Sequence, residues 1–234
     1  METLPSITGL VVAPAGPVLI SLYGTRLAKG SPSLMENLLG QLALLGLLAA
    51  VLAIVLVGEG APFSSLGFRG LGLSTFVWGV GIAALFVFGF GPIIMRVPGW
   101  LGLPGFEEPL GHLRTLPPWY LILAVVVGGT VEEILYRGFA IAHLAGLVGS
   151  DWAAAAIVVV LAGIAHGPLW GWAPALTTVF SGAVLTGFYL WHRDIAANIL
   201  AHVATDFVGI ALPVLLAKVR TGRTGTGSDG VRDQ

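Results

Sequence analysis

The sequence contains no cysteine and very little charge. Of its 234 residues only 10% are Asp, Glu, Lys or Arg, whereas a soluble domain is about 25% charged. Without cysteine the chain can form no disulfide, and it has no thiolate metal ligand and no cysteine nucleophile. The net charge of −1 offers no basis for nucleic-acid binding, which needs an excess of Lys and Arg. These absences leave a chain that is 56% hydrophobic.

Long apolar runs fill most of this chain and predict an integral membrane protein. A membrane-spanning helix needs about 20 predominantly apolar residues, and the short alternating segments of a barrel are not visible. We therefore predict an all-α polytopic bundle of six to eight membrane helices. Six runs stand out, at residues 37–57, 72–95, 119–145, 152–166, 172–190 and 195–217. The fourth is short, so we expect it to continue beyond its last residue.

The two ends of the chain differ from this central region. Residues 1–36 form an N-terminal interfacial or extra membrane segment, in which Pro14 and Pro17 are expected to break a helix. We read residues 8–23 as interfacial or re-entrant, with a further span as the alternative. Residues 37–217 form the membrane helical domain. The tail at 218–234 is polar and rich in Gly and Thr, which predicts a disordered cytoplasmic segment.

Lys and Arg are distributed unequally between the loops, and this bias sets the orientation of a membrane protein. With six spans, one side carries Arg26, Lys29, Arg96, Arg114, Lys218, Arg220, Arg223 and Arg232. The other side carries only Arg69 and Arg193. The N- and C-termini are therefore predicted to be cytoplasmic; an extra N-terminal span would move only the first segment outside. Short loops and compact size favour a prokaryotic cell membrane.

Ionisable residues interrupt the apolar pattern at three places in the predicted spans. An ionised residue at the bilayer centre costs about 2.5–3.5 kcal/mol on insertion scales, so such residues face the bundle interior and are functional candidates. The three places are Glu132, Glu133 and Arg137 in "GGTVEEILYRGF", His166 in "LAGIAHGPLW", and His202 and Asp206 in "NILAHVATDF".

Helical spacing predicts how these side chains pair. Glu133 and Arg137 are one turn apart and can form an ion pair, whereas Glu132 points about 100° away and keeps no such partner. His202 and Asp206 are also four residues apart, so the carboxylate can orient the ring. An unpaired carboxylate with two imidazoles suits water activation and amide hydrolysis. The purely structural alternatives are an ion pair at Glu133 and a polar contact between helices at His202.

These motifs resemble the CPBP, or Abi, family of intramembrane proteases, which includes CAAX prenyl-protein endopeptidases and bacteriocin-processing or immunity proteins. "EEILYR" is similar to its EExxxR motif, "GIAH" supplies the later histidine, and "HVATD" is similar to HxxxN/D. "FSSLGFRG" resembles a segment often seen after an early span. The resemblance covers roughly residues 119–210.

The resemblance implies a role for each matching residue. Glu132 would be the general base, His166 would hold the water, and Glu133 would pair with Arg137. His202 and Asp206 would stand where the family places its oxyanion stabilisers, in a cavity open toward the cytosol. Two positions depart from the family pattern: Ala162 replaces a frequent Phe, and Asp206 replaces a frequent Asn, which leaves open how the site donates to an oxyanion.

The implied function is an intramembrane endopeptidase that acts on a membrane-associated peptide or protein in the lipid bilayer. A non-catalytic immunity or scaffold protein and a small proton-coupled transporter remain as alternatives. We expect no cofactor, although Glu132, His166 and His202 are residue types that hold a catalytic zinc. The sequence does not identify the substrate, and prenylated substrates are not expected in a prokaryote.

Overall fold

The computed structural model describes residues 4–27 and 32–225, which form eight helices and no strand. The all-α prediction is therefore confirmed. We count a helix that continues through a π-helical turn as one element. The helices are α1 (Leu4–Leu27), α2 (Leu34–Gly58), α3 (Leu73–Trp100), the short α4 (Glu107–Leu113), α5 (Pro118–Val148), α6 (Asp151–Trp170), α7 (Trp172–His192) and α8 (residues 195–225).

Seven of these helices, all except α4, are long and apolar enough to cross a membrane. Each of the six predicted spans coincides with one of them, and the fourth continues past His166 to Trp170, as expected. Large apolar side chains cover the outside of the bundle; Val57 and Phe88, for example, are more than four-fifths exposed. In a chain with so little charge, this outer surface suits hydrocarbon, which confirms an integral membrane protein.

Helix α1 corrects one expectation, because it runs unbroken through Pro14 and Pro17. Prolines are tolerated in membrane helices where neighbouring helices and local adjustments satisfy the freed backbone groups. Helix α1 lies close to its neighbours, with Gly9 against the Phe139 ring and Gly16 against Leu47. The helix therefore fits the alternative of an extra span. Seven crossings would put the two chain ends on opposite sides, unlike the shared side predicted from six.

Helix α8 continues to Gly225, so the backbone of residues 218–225 is helical where composition predicted disorder. Extending an existing helix costs little compared with starting one, which explains why a polar sequence can follow an apolar helix in the same conformation. Lys218 fixes this region by donating to the carbonyl of Leu116 at 2.6 Å. The predicted tail at residues 226–234 lies outside the described residues.

The loop between α2 and α3 fixes the start of α8. Gly67 ends a 3₁₀ turn with a φ of +88°, and its carbonyl accepts from the Ile195 amide at 3.1 Å. A Cβ at Gly67 would lie 2.8 Å from the Tyr189 hydroxyl, so glycine is required there. Asp194 caps α8 and accepts a hydrogen bond of 2.7 Å from Thr75. The first turn of α8 is thereby held against α3 and α7.

A polar cluster ties the first two helices to α5. Ser6 on α1 donates to Glu59 at 2.8 Å, and His143 Nε2 lies 3.1 Å from the same Glu59 oxygen. The His143 ring stacks on Phe139 at a centroid distance of 4.0 Å, and Phe139 in turn contacts Gly9 of α1. We call Ser6, Glu59 and His143 the tie cluster. It joins the N-terminal helices to the helix that carries "EEILYR".

Candidate active site

The "EEILYR" motif lies where α5 changes from α-helical to π-helical geometry. The α-helical part ends at Glu132, and the π-helical segment Glu133–Ala140 is buried throughout. Such widened turns are rare and frequently occur at functional sites. The change of geometry separates the two adjacent glutamates, because Glu133 points into protein and Glu132 lies on the wall of a cavity.

Glu133 is fully buried and accepts hydrogen bonds from three side chains. Arg137 Nη1 donates at 2.9 Å, His202 Nδ1 at 2.7 Å and Asn198 Nδ2 at 3.0 Å. The pair with Arg137 is the one that helical spacing indicated. A buried carboxylate is tolerated when its charge is paired and its oxygens are hydrogen-bonded. Glu133 therefore serves as an anchor that joins α5 to α8.

Arg137 uses its remaining N–H groups on α7. Its Nε donates to the Thr186 hydroxyl and its Nη2 donates to the Gly182 carbonyl, both at 3.1 Å. The side chain is buried, so each of these partners replaces water that the guanidinium has lost. Arg137 thus connects α7 to the same anchor as α8.

The charges around this anchor alternate in sign. Arg137 pairs with Glu133, Glu133 accepts from His202, and His202 Nε2 lies 3.5 Å from Asp206 Oδ2. Both ring nitrogens of His202 face carboxylates, an arrangement that favours the doubly protonated ring. The row then reads plus, minus, plus, minus and sums to zero. Glu132 is not part of this row, so none of these charges pairs with the Glu132 carboxylate.

Glu132 faces His166 across the cavity wall. Its Oε1 lies 3.6 Å from His166 Nε2, and both side chains are about one-fifth exposed. His166 Nδ1 lies 2.8 Å from the Ala162 carbonyl, which can only accept, so Nδ1 carries the proton. In the neutral form of the ring, Nε2 then carries the lone pair, which faces Glu132. A water molecule that donates to both acceptors needs them roughly 4.4 Å apart, so the two side chains would have to separate slightly to hold it.

A cavity with two lobes surrounds these residues. The smaller lobe is about 390 Å³ and the larger about 1530 Å³. Both lobes are lined by Glu132, His166, His202 and Asp206, which therefore stand at their junction. Both lobes have mostly apolar walls and reach α4, between α3 and α5.

The six predicted site residues come together on α5, α6 and α8, although the sequence did not indicate every partner. It missed Asn198 and Thr186, which hold Glu133 and Arg137. Asn198 had a detectable signal, since it precedes His202 by four residues and so shares a helical face with it. Thr186 had none, because its role depends on the packing of α7 against α5.

The departure at Ala162 affects the cavity more than the histidine. The Ala162 carbonyl orients His166, and a different side chain would leave that contact unchanged. The methyl group itself lines the smaller lobe. A Phe at this position would therefore fill space inside the lobe and leave Glu132 and His166 in place.

For the peptidase that the motif resemblance implies, we expect Ala162→Phe to narrow the range of peptides that are accepted. Peptides with bulky apolar side chains should lose about tenfold or more in kcat/KM, whereas those with Gly or Ala should be little affected. Comparing the two peptide sets in liposomes measures the effect, with Ala156→Phe on the exposed face of α6 as the control. An equal loss for both sets would contradict this account of the lobe.

The zinc alternative does not fit this arrangement. Within the described residues, no three His, Asp or Glu side chains form a group that could hold a metal ion. His202 directs both ring nitrogens at carboxylates, and His166 directs Nδ1 at a carbonyl. The absence of a cofactor stays a prediction: turnover by the purified protein should be unchanged after dialysis against EDTA. Loss of turnover that added zinc restores would contradict it.

These features define a polytopic membrane protein with a carboxylate–imidazole site inside its helix bundle. Residues 114–208 match the family model described as type II CAAX prenyl endopeptidase, Rce1-like. The matched region contains all six predicted site residues, and the match confirms the resemblance drawn from the motifs. It identifies the chain as similar to membrane proteases. No curated protein and no solved structure matches the chain.

Proposed function

We propose that this chain is an intramembrane endopeptidase in which Glu132 activates a water molecule. The observation that carries the proposal is the facing pair of Glu132 and His166 at 3.6 Å on the wall of a cavity. The neighbouring charges compensate one another, and Glu132 is outside their row. A carboxylate that is not needed to hold the fold is available to take a proton.

The attacking water would be held by two hydrogen bonds. One O–H donates to Glu132 Oε1 and the other to the lone pair of His166 Nε2. Both hydrogens are then directed at the protein, so the lone pairs of the oxygen face the cavity. Holding the nucleophile in this orientation removes much of the entropic cost of bringing it to a peptide carbonyl.

The reaction then follows in two proton transfers. Glu132 takes one proton as the water oxygen forms a bond to the carbonyl carbon, while His166 keeps its bond to the remaining O–H. The tetrahedral intermediate collapses, the C–N bond breaks, and protonated Glu132 delivers its proton to the leaving amine. Glu132 is returned to its carboxylate form, and the products are a free acid and a free amine.

His202 is the candidate that would stabilise the oxyanion. It is on the cavity wall, and its Nε2 lies 3.5 Å from Asp206, a distance longer than a normal hydrogen bond. The Nε2–H could therefore turn from Asp206 to a developing oxyanion. Asp206 would act by holding the positive ring in position between turnovers. This role accommodates an acid where the family often has Asn.

The larger lobe is proposed to open toward the cytosol. It extends to α4, in the loop between α3 and α5, and this loop lies on the side that is rich in Lys and Arg. With seven crossings the C-terminus shares this side and the N-terminus lies opposite. A membrane-anchored peptide would then enter from the cytosolic face.

The proposal is tested with the purified chain in liposomes and a panel of anchored peptides. One arm carries an S-farnesyl cysteine three residues from its end, which is the substrate type named by the matched family, and the other arm is anchored by an apolar helix. Mass spectrometry in H₂¹⁸O should show one ¹⁸O atom in the new carboxyl group of at least one arm. Absence of cleavage in both arms contradicts the proposal.

A further inference from the structure

The loop between α2 and α3 contacts three helices that meet at the candidate site. We call its 3₁₀ turn Phe63–Leu66, together with Gly67, the spacer loop. Leu66 is 1% exposed and packs on the π-helical segment of α5. Gly67 adjoins Tyr189 of α7, and its carbonyl accepts from the Ile195 amide of α8. The spacer loop therefore fixes the distances between α5, α7 and α8 at this level of the bundle.

These contacts lie close to the hydrogen bonds that hold Glu133 and Arg137. The contact on α5 is at Gly138, the residue directly after Arg137. The contact on α7 is about one turn from Thr186, and the contact on α8 is about one turn from Asn198. Any change in how the spacer loop packs is thus transmitted to the anchor over very short distances.

Gly138 leaves no space for a side chain. A Cβ at this position would lie 2.9 Å from the backbone carbonyl oxygen of Leu66, which is too close for a carbon atom. The carbonyl cannot turn away as a flexible side chain would, because the Leu66 side chain is buried and the next carbonyl holds the Ile195 amide at 3.1 Å. Glycine is required here for close approach, and a methyl group would force α5 and the spacer loop apart.

We propose that Gly138 is a positioning residue, whose contact with the Leu66 carbonyl sets the place of α5 against α7 and α8. Both residues lie outside the two lobes of the cavity, so they act through the site and do not contact substrate. The inference rests on the proposed function and adds to it how the geometry of the reacting groups is maintained.

The reaction is sensitive to this placement because its two water-holding groups are on different helices. Glu132 is on α5 and His166 is on α6, and they face each other at 3.6 Å. A displacement of α5 changes that separation and also strains the bonds from α8 to Glu133. A misplacement of about 1 Å at reacting groups costs on the order of 10²-fold in rate.

Gly138→Ala tests the contact on the most rapidly cleaved peptide of the panel. We expect kcat to fall about 10- to 100-fold and KM to stay within about twofold, because the cavity wall is unchanged. The assay is run well below the unfolding temperature of the variant, so that loss of folded protein does not contribute. Gly46→Ala, on the exposed side of α2 where a Cβ meets no atom within 4 Å, is the control. A wild-type kcat in Gly138→Ala overturns the inference, as does a change confined to KM.

A second variant displaces the spacer loop from the α8 side and keeps the inference testable if Gly138→Ala does not fold. Ile195 is the first residue of α8, a position that suits proline, and Asp194 before it is extended, as proline requires. Ile195→Pro replaces the amide N–H by a ring carbon, which pushes the Gly67 carbonyl away. Ile195→Val keeps the amide with a side chain of similar bulk. The proline variant should have the lower kcat by about tenfold, and equal values in the two variants overturn the inference.

Nuclear magnetic resonance of the ¹⁵N-histidine-labelled chain separates this inference from the proposed function. The chain has five histidines, and the signal that is missing in His202→Gln identifies the ring whose Nδ1 lies 2.7 Å from Glu133. Gly138→Ala should shift this signal and leave that of His112 on α4 unchanged. A shift supports the positioning role even if the wild-type chain cleaves no peptide, and an unshifted signal overturns it. Cleavage by the wild type with an unaltered kcat in Gly138→Ala overturns this inference and leaves the endopeptidase proposal standing.

Discussion

Glu132→Gln is expected to lower kcat by about 10²–10⁴-fold, the contribution of a positioned general base. The amide has nearly the same shape as the carboxylate but cannot take a proton from water. Glu132 is one-fifth exposed and outside the row of paired charges, so folding should be unaffected. Cleavage of the best panel peptide in liposomes measures kcat, and thermal unfolding in detergent measures stability.

A matched variant separates a catalytic loss from a general effect of removing an acid. Glu36→Gln makes the same change at the exposed first turn of α2 and should leave turnover unchanged. If Glu132→Gln keeps most of the wild-type kcat, Glu132 is not the base. If its activity in cells falls only in proportion to its protein level, the scaffold alternative is favoured over the endopeptidase.

Glu133→Gln, unlike Glu132→Gln, is expected to destabilise the folded protein. The change leaves Arg137 and His202 without their shared carboxylate, and Arg137 is buried. Breaking a buried ion pair by removal of one partner costs about 3–5 kcal/mol. For a chain of this size that corresponds to a fall in Tm of roughly 6–20 °C. Thermal unfolding of the purified variant in detergent measures the shift.

The double variant Glu133→Gln with Arg137→Met provides the control for this prediction. When both charges are absent no guanidinium is left unpaired, so the double variant should lose less stability than the sum of the single losses. Strict additivity would contradict the account of Glu133 as the anchor of Arg137. A Glu133→Gln protein with the Tm of the wild type would contradict it more directly.

The sequence predicted the fold class and the spacing of the charged residues because both depend on local regularities. Apolar runs of bilayer length identify the spanning helices, and four-residue spacing identifies Glu133 with Arg137. Both rules use only neighbours along the chain. They hold in a helical membrane protein, where each helix satisfies its own backbone hydrogen bonds.

Contacts between helices were harder to predict. Nothing in the spacing shows that Glu133 lies 2.7 Å from His202, 69 residues further along the chain. The motif resemblance placed both residues at one site but did not indicate their hydrogen bond. The bond from Arg137 to Thr186 was equally hidden, because it depends on how α7 packs against α5 and not on the residue type.

The prolines of α1 illustrate where a local rule fails in lipid. Proline removes a backbone hydrogen bond and usually ends a helix in water. In a bilayer an interrupted helix would expose polar backbone to hydrocarbon, so continuing the helix is the less costly choice. Helix α1 is continuous through Pro14 and Pro17. The bilayer thus favours a continuous helix at positions where water would favour its end.

The tie cluster and the close contact of Gly9 with Phe139 have a consequence for domain boundaries. The family match begins at residue 114, yet α1 and α2 cover the buried face of α5 and contribute Gln41 to the cavity. A chain trimmed to the matched region would turn that face toward lipid with its polar atoms unmet. The matched region is thus not an autonomous unit. Grafting it alone onto another scaffold would leave out the part of the cavity that α1 and α2 supply.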